Sequence, residues 1–271
     1  MTDPACVNCG RRHPCGAREC DRLRGLSVVI PSKTAANLSA CVAAIWKHEA
    51  AGLRIIVIDD GLDRAAILPD GQPYNPPGAA LIPARLLQMV DGIKPFIFAR
   101  NCNLGIKAAG DDDVILLNDD ALIESPGGFT LLQQAAREHP EYGLISATTD
   151  VAGNTAQWRR EGGRLRTCPS PTPGNSFATV AFVCVFLPRR TIETVGLMDE
   201  RFGGVTPEGK RIYGHCDNDF CRRVTLAGLK IGIHDGAFVN HGSLTSTFRG
   251  DPNTIDMEAA RALYLEKWGC M

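Results

Sequence analysis

Near the middle of the chain an apolar run, Val114-Ile115-Leu116-Leu117, stops abruptly at Asn118-Asp119-Asp120. Carboxylates at the end of a buried strand lie at the carboxyl edge of a sheet, where open α/β folds bind ligands. Carboxylates there can hold a hard divalent cation, and the cation can grip phosphate oxygens. Paired acids after a strand are also ordinary turn formers or N-caps for a following helix. The arrangement occurs twice, however, because Arg54-Ile55-Ile56-Val57-Ile58 runs in the same way into Asp59-Asp60-Gly61. A third apolar run, Ser27-Val28-Val29-Ile30, ends in Pro31-Ser32-Lys33.

These residues need elements to hold them. Apolar runs of this kind suit strands buried on both faces of a parallel sheet. The expected strands are 26–30, 54–58, 95–99, 114–118, 144–147, a central one over 177–187, and two short ones at 231–233 and 237–239. Between them, Asn37, Leu38, Cys41, Val42, Ile45 and Trp46 fall on one face of a helix over 34–49. A second helix should start at Ser125-Pro126, with proline in the first turn, carry Phe129, Leu132 and Ala136 inward, and stop at His139-Pro140. Arg100 to Gly105 reads as a polar turn continued by a short helix to Ala109. Residues 69–84, rich in proline, read as a loop, and 150–175 as a flap tipped by Trp158, Arg159 and Arg160. Gly214 to Gly228 reads as a helix entered through acids, and 255–268 as a terminal helix. Strands alternating with helices define an α/β class.

Composition narrows the function. At 271 residues the chain can bury a full core as one large domain with a small appendage. A formal net charge of −1 gives no global field to attract nucleic acid or an anionic membrane. No apolar stretch approaches the length of a membrane span, and the N-terminus lacks the apolar core of a secretory signal. A cytoplasmic protein is the default expectation. Of eleven cysteines, four crowd the start as Cys6, Cys9, Cys15 and Cys20. Their spacing, C-x2-C-x5-C-x4-C, could hold a structural Zn2+ in a module over residues 1–25, or could be a reduced tail or redox pair. The main domain would then span 26–271. The remaining cysteines sit largely in apolar runs and read as small buried hydrophobes.

The order of these pieces resembles a family 2-type inverting glycosyltransferase with the GT-A fold, a Rossmann-like, mixed, mostly parallel sheet flanked by helices. The resemblance covers roughly residues 26–250. It rests on Val28-Val29-Ile30-Pro31-Ser32, Val57-Ile58-Asp59-Asp60-Gly61, Arg100-Asn101 with Asn103-Leu104-Gly105, and Leu117-Asn118-Asp119-Asp120. Gly196-Leu197-Met198-Asp199-Glu200-Arg201-Phe202 and Asp217-Asn218-Asp219-Phe220-Cys221-Arg222-Arg223 complete it. It implies a nucleotide-sugar donor, held by Pro31, Ser32, Asp59, Asp60, Arg100, Asn103, Gly105 and Asp119, with Asp59 or Asp60 on a pyrimidine such as the uracil of a UDP-sugar. It implies Asp120 as principal ligand of Mn2+ or Mg2+, supported by Asn118 and Asp119, and His241 reaching the metal or diphosphate. It implies Asp217 as the base that takes the acceptor's proton. Cys216 stands where the family motif usually has Glu, and Leu62 where it has Ser.

Two other functions compete. A sugar-nucleotide nucleotidyltransferase would use a similar sheet, but normally with a Gly-rich basic loop after the first strand, which Pro31-Ser32-Lys33-Thr34 replaces poorly. A non-catalytic, zinc-dependent binding module would rest on the cysteine cluster. The acceptor is open among a polysaccharide, a lipid-linked sugar, a protein and a modified nucleic acid.

Overall fold

The structure, a computed structural model, describes residues 25–49, 53–63, 87–158, 162–170, 177–244 and 255–269. The four N-terminal cysteines, Cys6, Cys9, Cys15 and Cys20, and the proline-rich loop expected over 69–84 therefore lie outside the described residues. Among the described residues, a nine-stranded sheet forms the centre.

Strands β1 (Leu26–Ser32), β2 (Arg54–Asp59), β3 (Leu87–Asp91) and β4 (Asp113–Leu117) form a parallel half in the order β3-β2-β1-β4. Val28 to Ile30, Ile55 to Ile58 and Val114 to Leu117 are buried throughout, as strands covered on both faces must be. Helix α1 (Ala35–His48) packs Leu38, Cys41 and Ile45 on one face with Val28 and Ile30. Helix α2 (Phe98–Ala108) packs Ala99, Cys102 and Ile106 on the other with Val29 and Ile56. The two cores thus take alternate residues of the same strands.

The second half is mixed. β8 (Cys184–Leu187) lies antiparallel to both β4 and β6 (Tyr142–Thr149), and β10 (Lys230–Asn240) lies parallel to β6. Two short strands, β5 (Leu122–Ile123) and β7 (Leu165–Thr167), pair antiparallel with β10. Because β8 runs against β4, the residues entering β8 stand beside the carboxyl end of β4. The Asn118 amide donates to the Val183 carbonyl at 2.9 Å. In β10 the register with β6 breaks between His234 and Phe238, where three residues bulge out before the ladder resumes.

Helices α3 (Gly128–Glu138), α4 (Arg189–Val195), α5 (Cys216–Leu226) and α6 (Met257–Trp268) complete the layers, with a small two-stranded sheet of β9 (Arg211–Ile212) and β11 (Ile255–Asp256). Asp219, fully buried in α5, fastens α6. It accepts from Trp268 Nε1 at 2.9 Å and pairs with Lys267 Nζ at 2.6 Å, besides Arg223 at 3.0 Å on its own helix. No described helix is long and apolar enough to cross a membrane.

Several expected elements need correction. The strand expected at 95–99 does not form: residues 95–97 lead into helix α2, which begins at Phe98 and takes in the turn expected after it, and the third strand is Leu87–Asp91 instead. Ala99, Cys102 and Ile106 recur at helical spacing, and this outweighs the short apolar run before them. The central strand expected over 177–187 is only Cys184–Leu187. Side chains satisfy the backbone upstream: Asn154 Nδ2 donates to the Thr179 carbonyl at 2.6 Å, and Gln157 bonds both the carbonyl and the amide of Ala181. The described parts of the expected flap over 150–175 are docked, with a 3-10 turn at Thr155–Gln157 and β7 on the sheet. Helix α3 begins at Gly128, two residues beyond Pro126, since the Ser125 hydroxyl accepts the Phe238 amide at 2.8 Å and Glu49 takes the helix's Phe129 amide. The two short strands expected at 231–239 are the single bulged β10.

Candidate active site at the carboxyl edge of the sheet

The ends of β1, β2 and β4 are tied to one another by short polar contacts. Ser32 closes β1, paired in register with Asp59. Its hydroxyl donates to Asp119 Oδ2 at 2.6 Å, and its carbonyl accepts the Asp60 amide at 2.8 Å. A continuous chain thus links the tip after β4 to the corner after β2. Pro31, beside Ile58, is buried in the same strand. The two acids of the β2 corner divide the work. Asp59 Oδ1 accepts the amides of Gly61 at 2.8 Å and Leu62 at 2.7 Å, closing a turn in which Gly61 has φ 106°, a conformation that favours glycine. Asp60, 3% exposed, has its Oδ1 at 3.5 Å from Lys94 Nζ, which also donates to the Asp60 carbonyl.

The tip after β4 presents Asp120, buried to 3% exposure, toward the end of β10. His241 Nε2 lies 3.2 Å from Asp120 Oδ1, and His241 Nδ1 lies 2.9 Å from the Val151 carbonyl. The carbonyl can only accept, so Nδ1 carries hydrogen and Nε2 is aimed at Asp120. Burial pushes the His241 imidazole down, but the hydrogen bond and charge of Asp120, with the Val151 carbonyl, outweigh it and hold the pKa above the ordinary value. Asp150, after β6, fixes the turn: its Oδ1 accepts the His241 amide at 2.7 Å and its carboxylate also takes the Gly242 amide. Burial raises the Asp150 carboxyl, and these amides outweigh it, leaving it below the ordinary range.

Asp217 opens helix α5, following His215 in a left-handed conformation at φ 61°. Burial pushes its carboxyl above the ordinary range, against the Asn218 amide and the His215 charge. Asn118, Asp120, His241 and Asp217 all line one cleft of about 290 Å³. Its remaining wall is largely apolar, including Phe96, Phe98, Phe182, Phe202 and Tyr213. The thiol of Cys216, beside Asp217 in that wall, is kept neutral by burial.

Three expected nucleotide-binding residues lie elsewhere, in contacts internal to the fold. Arg100 donates to the carbonyls of Ile93 and Pro95, clasping the segment between β3 and α2. Asn103 bonds the Met198 carbonyl and amide and Glu200, each at 2.9 Å. A Cβ on Gly105 would run into Val29, so this glycine lets α2 approach β1. Neither Lys94 nor the aromatic wall is marked by any pattern in the sequence. Asp150 carried a signal, since it is a third acid directly after an apolar strand.

Among the described residues no group of three or more His, Cys, Asp or Glu is assembled to hold a metal. The donors that stand side by side in the cleft are one carboxylate and one imidazole, Asp120 and His241, 3.2 Å apart. Two protein ligands with room for phosphate oxygens and water suit a catalytic Mn2+, which accepts both donor types.

No family model matches the sequence, and no curated protein matches it. Among solved structures the fold is similar to the crystal structure of GalNAc-T7 with UDP, GalNAc and Mn2+, at a TM-score of 0.56 and 14% identity. The alignment covers 80% of this chain and 44% of that one, so this chain spans less than half of the matched protein's length. The likeness establishes the fold as GT-A, a Rossmann-like sheet flanked by helices.

Proposed function

We propose that this protein is a metal-dependent, inverting glycosyltransferase that moves a sugar from a nucleoside-diphosphate donor, UDP-linked by preference, to a hydroxyl acceptor. The observation that carries this reading is that Asp120 with His241 and the separate carboxylate Asp217 face one cleft at the carboxyl edge of a GT-A sheet. GalNAc-T7, the structural neighbour, is described with UDP and Mn2+, which supports both the donor and the cation.

The nucleoside is placed at the Ser32–Asp60–Lys94 corner, where Asp60 can accept from a base and Lys94 can donate to it. The diphosphate would then lie toward Asp120 and His241, which would hold the cation. A bound Mn2+ there supplies positive charge to the departing diphosphate oxygen. Asp217 accepts the proton of the acceptor hydroxyl as that oxygen forms its bond to the anomeric carbon. The bond from that carbon to the diphosphate breaks in the same displacement, and its electron pair leaves with the nucleoside diphosphate. Burial makes Asp217 a stronger base than an exposed carboxylate. Asp59, Asp119 and Gly61 hold the two acid tips in register, and Pro31 and Ser32 supply the floor between them.

The test is a thermal-shift screen of nucleotide sugars with and without Mn2+, followed by slow donor hydrolysis by the responding pair. A shift that needs both UDP-sugar and Mn2+, with release of UDP, is expected. Pyrophosphate exchange into a nucleoside triphosphate without UDP release would instead identify a nucleotidyltransferase, and retained anomeric configuration in the transferred sugar would remove the inverting mechanism.

A further inference from the structure

Asp217 is shared between the cleft above and a second groove of about 630 Å³. The two also share Gly153 and Ala181, so they adjoin one another at these three residues. Asp120 and His241 line only the first. In an inverting displacement the attacking oxygen enters opposite the leaving group. The metal ligands mark the leaving side, Asp217 marks the attacking side, and the body of the acceptor must extend beyond Asp217. From this, and resting on the transferase reading above, we infer that the second groove is the acceptor site and that it takes an uncharged saccharide.

The chemistry of the walls selects the class. Among the described residues, Asp217 is the groove's one charged group, and the rest are glycine, alanine, proline, valine, serine, threonine and asparagine. Among the described residues a phosphate-bearing acceptor would find no cation there, and would meet the carboxylate of the base. Sugars present hydroxyls at their edges and C–H groups on their faces, which neutral polar groups on an apolar floor can match. Three groups are poised for this. The hydroxyls of Thr155 and Thr179 and the side-chain amide of Asn218 bond no other described residue, and all three residues are at least partly exposed. The Asn154 side chain, by contrast, is spent, donating to the Thr179 carbonyl at 2.6 Å and accepting the Ala156 amide at 2.9 Å. This clasp holds the 154–156 turn against 179–181 and so forms the groove.

The experiment uses the full chain with Mn2+ and the donor found by the thermal-shift screen. Wild-type protein is offered an array of neutral oligosaccharides, phosphorylated sugars, serine- and threonine-containing peptides and hydroxymethylated DNA. Transfer to neutral oligosaccharides, with phosphorylated sugars at least tenfold poorer in kcat/KM, is expected. Turnover confined to peptide, DNA or phosphorylated sugars overturns the inference while leaving the transferase reading intact. Absence of both donor hydrolysis and transfer in the wild type overturns both. In the Thr179→Val and Asn218→Ala variants, each loss of a neutral hydrogen bond should raise the acceptor KM by roughly fivefold, and the pair together by more. The Kd for UDP with Mn2+, measured on the same samples, distinguishes a lost acceptor site from a lost fold. An unchanged acceptor KM in variants that still bind UDP overturns the assignment of these residues.

Discussion

The two carboxylates that face the cleft differ in their surroundings, and the difference assigns their work. Asp120 has an imidazole beside it, whereas the charge of Asp217 is opposed chiefly by burial. An acid raised in the folded state is stabilising below its unfolded pKa, and that contribution is lost as pH rises through the folded value. Once ionised, above its folded pKa, Asp217 therefore costs stability. Asp217→Asn should melt higher than the wild type at pH 8, with the gain shrinking toward pH 4, while transfer falls by about 10² to 10⁴ and UDP–Mn2+ binding persists. Differential scanning calorimetry across that range checks the sign. The acid limb of kcat against pH should likewise lie above the ordinary carboxylate range, because the base must be ionised to act. A second prediction concerns Gly105. If it serves close packing, Gly105→Ala should lower stability by about 1 to 3 kcal/mol through overpacking on Val29, read from urea unfolding, with UDP affinity unchanged in the folded fraction. The acids were legible because they end apolar runs. Lys94 was not, because nothing in its local sequence distinguishes it from any solvated lysine.

At the scale of elements, α5 carries Asp217 at its start and Asp219 one half-turn on, and their fates diverge. Asp219 faces inward and joins α5 to α6 through Trp268 and Lys267. Trp268→Phe keeps the ring and removes the N–H, and should cost about 1 to 2 kcal/mol, seen as an earlier midpoint in chemical denaturation. The turn before α5 should loosen with it, so kcat should fall more than the affinity for UDP with Mn2+, which is held mainly by β1, β2, β4 and β10. The strands of the parallel half were readable from unbroken apolar runs. Helix α2 was misread because Pro95 to Ala99 resembles a short buried strand until its spacing with Cys102 and Ile106 is counted. The shortness of β8 was not readable at all. It depends on Asn154 and Gln157, which are distant in sequence and take over the backbone bonds of residues 179–181.

For the molecule as a whole, the site is assembled from both halves of one sheet. Ser32, Asp60 and Asp120 come from the parallel half, His241 from the end of β10, and Asp217 from a helix packed behind. A ligand that bridges these parts should stabilise the entire fold. At a hundredfold excess over Kd, UDP-sugar with Mn2+ should add about 2.7 kcal/mol, and Asp120→Ala should abolish the portion of the thermal shift that requires Mn2+. Retention of that portion would remove Asp120 as the cation's ligand. The general class of the fold could be read from alternating strands and helices, and so could the grouping of acids at one sheet edge. The meeting of the two grooves at Asp217 could not, since it depends on how the 153–156 turn meets residues 179–181 across the fold.

The three-residue bulge in β10 has a consequence for comparing chains of this kind. From Ile231 to His234 the strand keeps step with β6, and beyond the bulge the ladder restarts at Phe238 opposite Thr148. Strand residues alternate faces, and each advances the chain by about 3.3 Å. The bulge therefore works as a length gauge that sets which side chain arrives opposite Asp120. A related sequence one residue shorter between His234 and Phe238 would deliver its neighbour in place of the imidazole. Counting residues across that short interval would sort such sequences by cation dependence before any of them is purified.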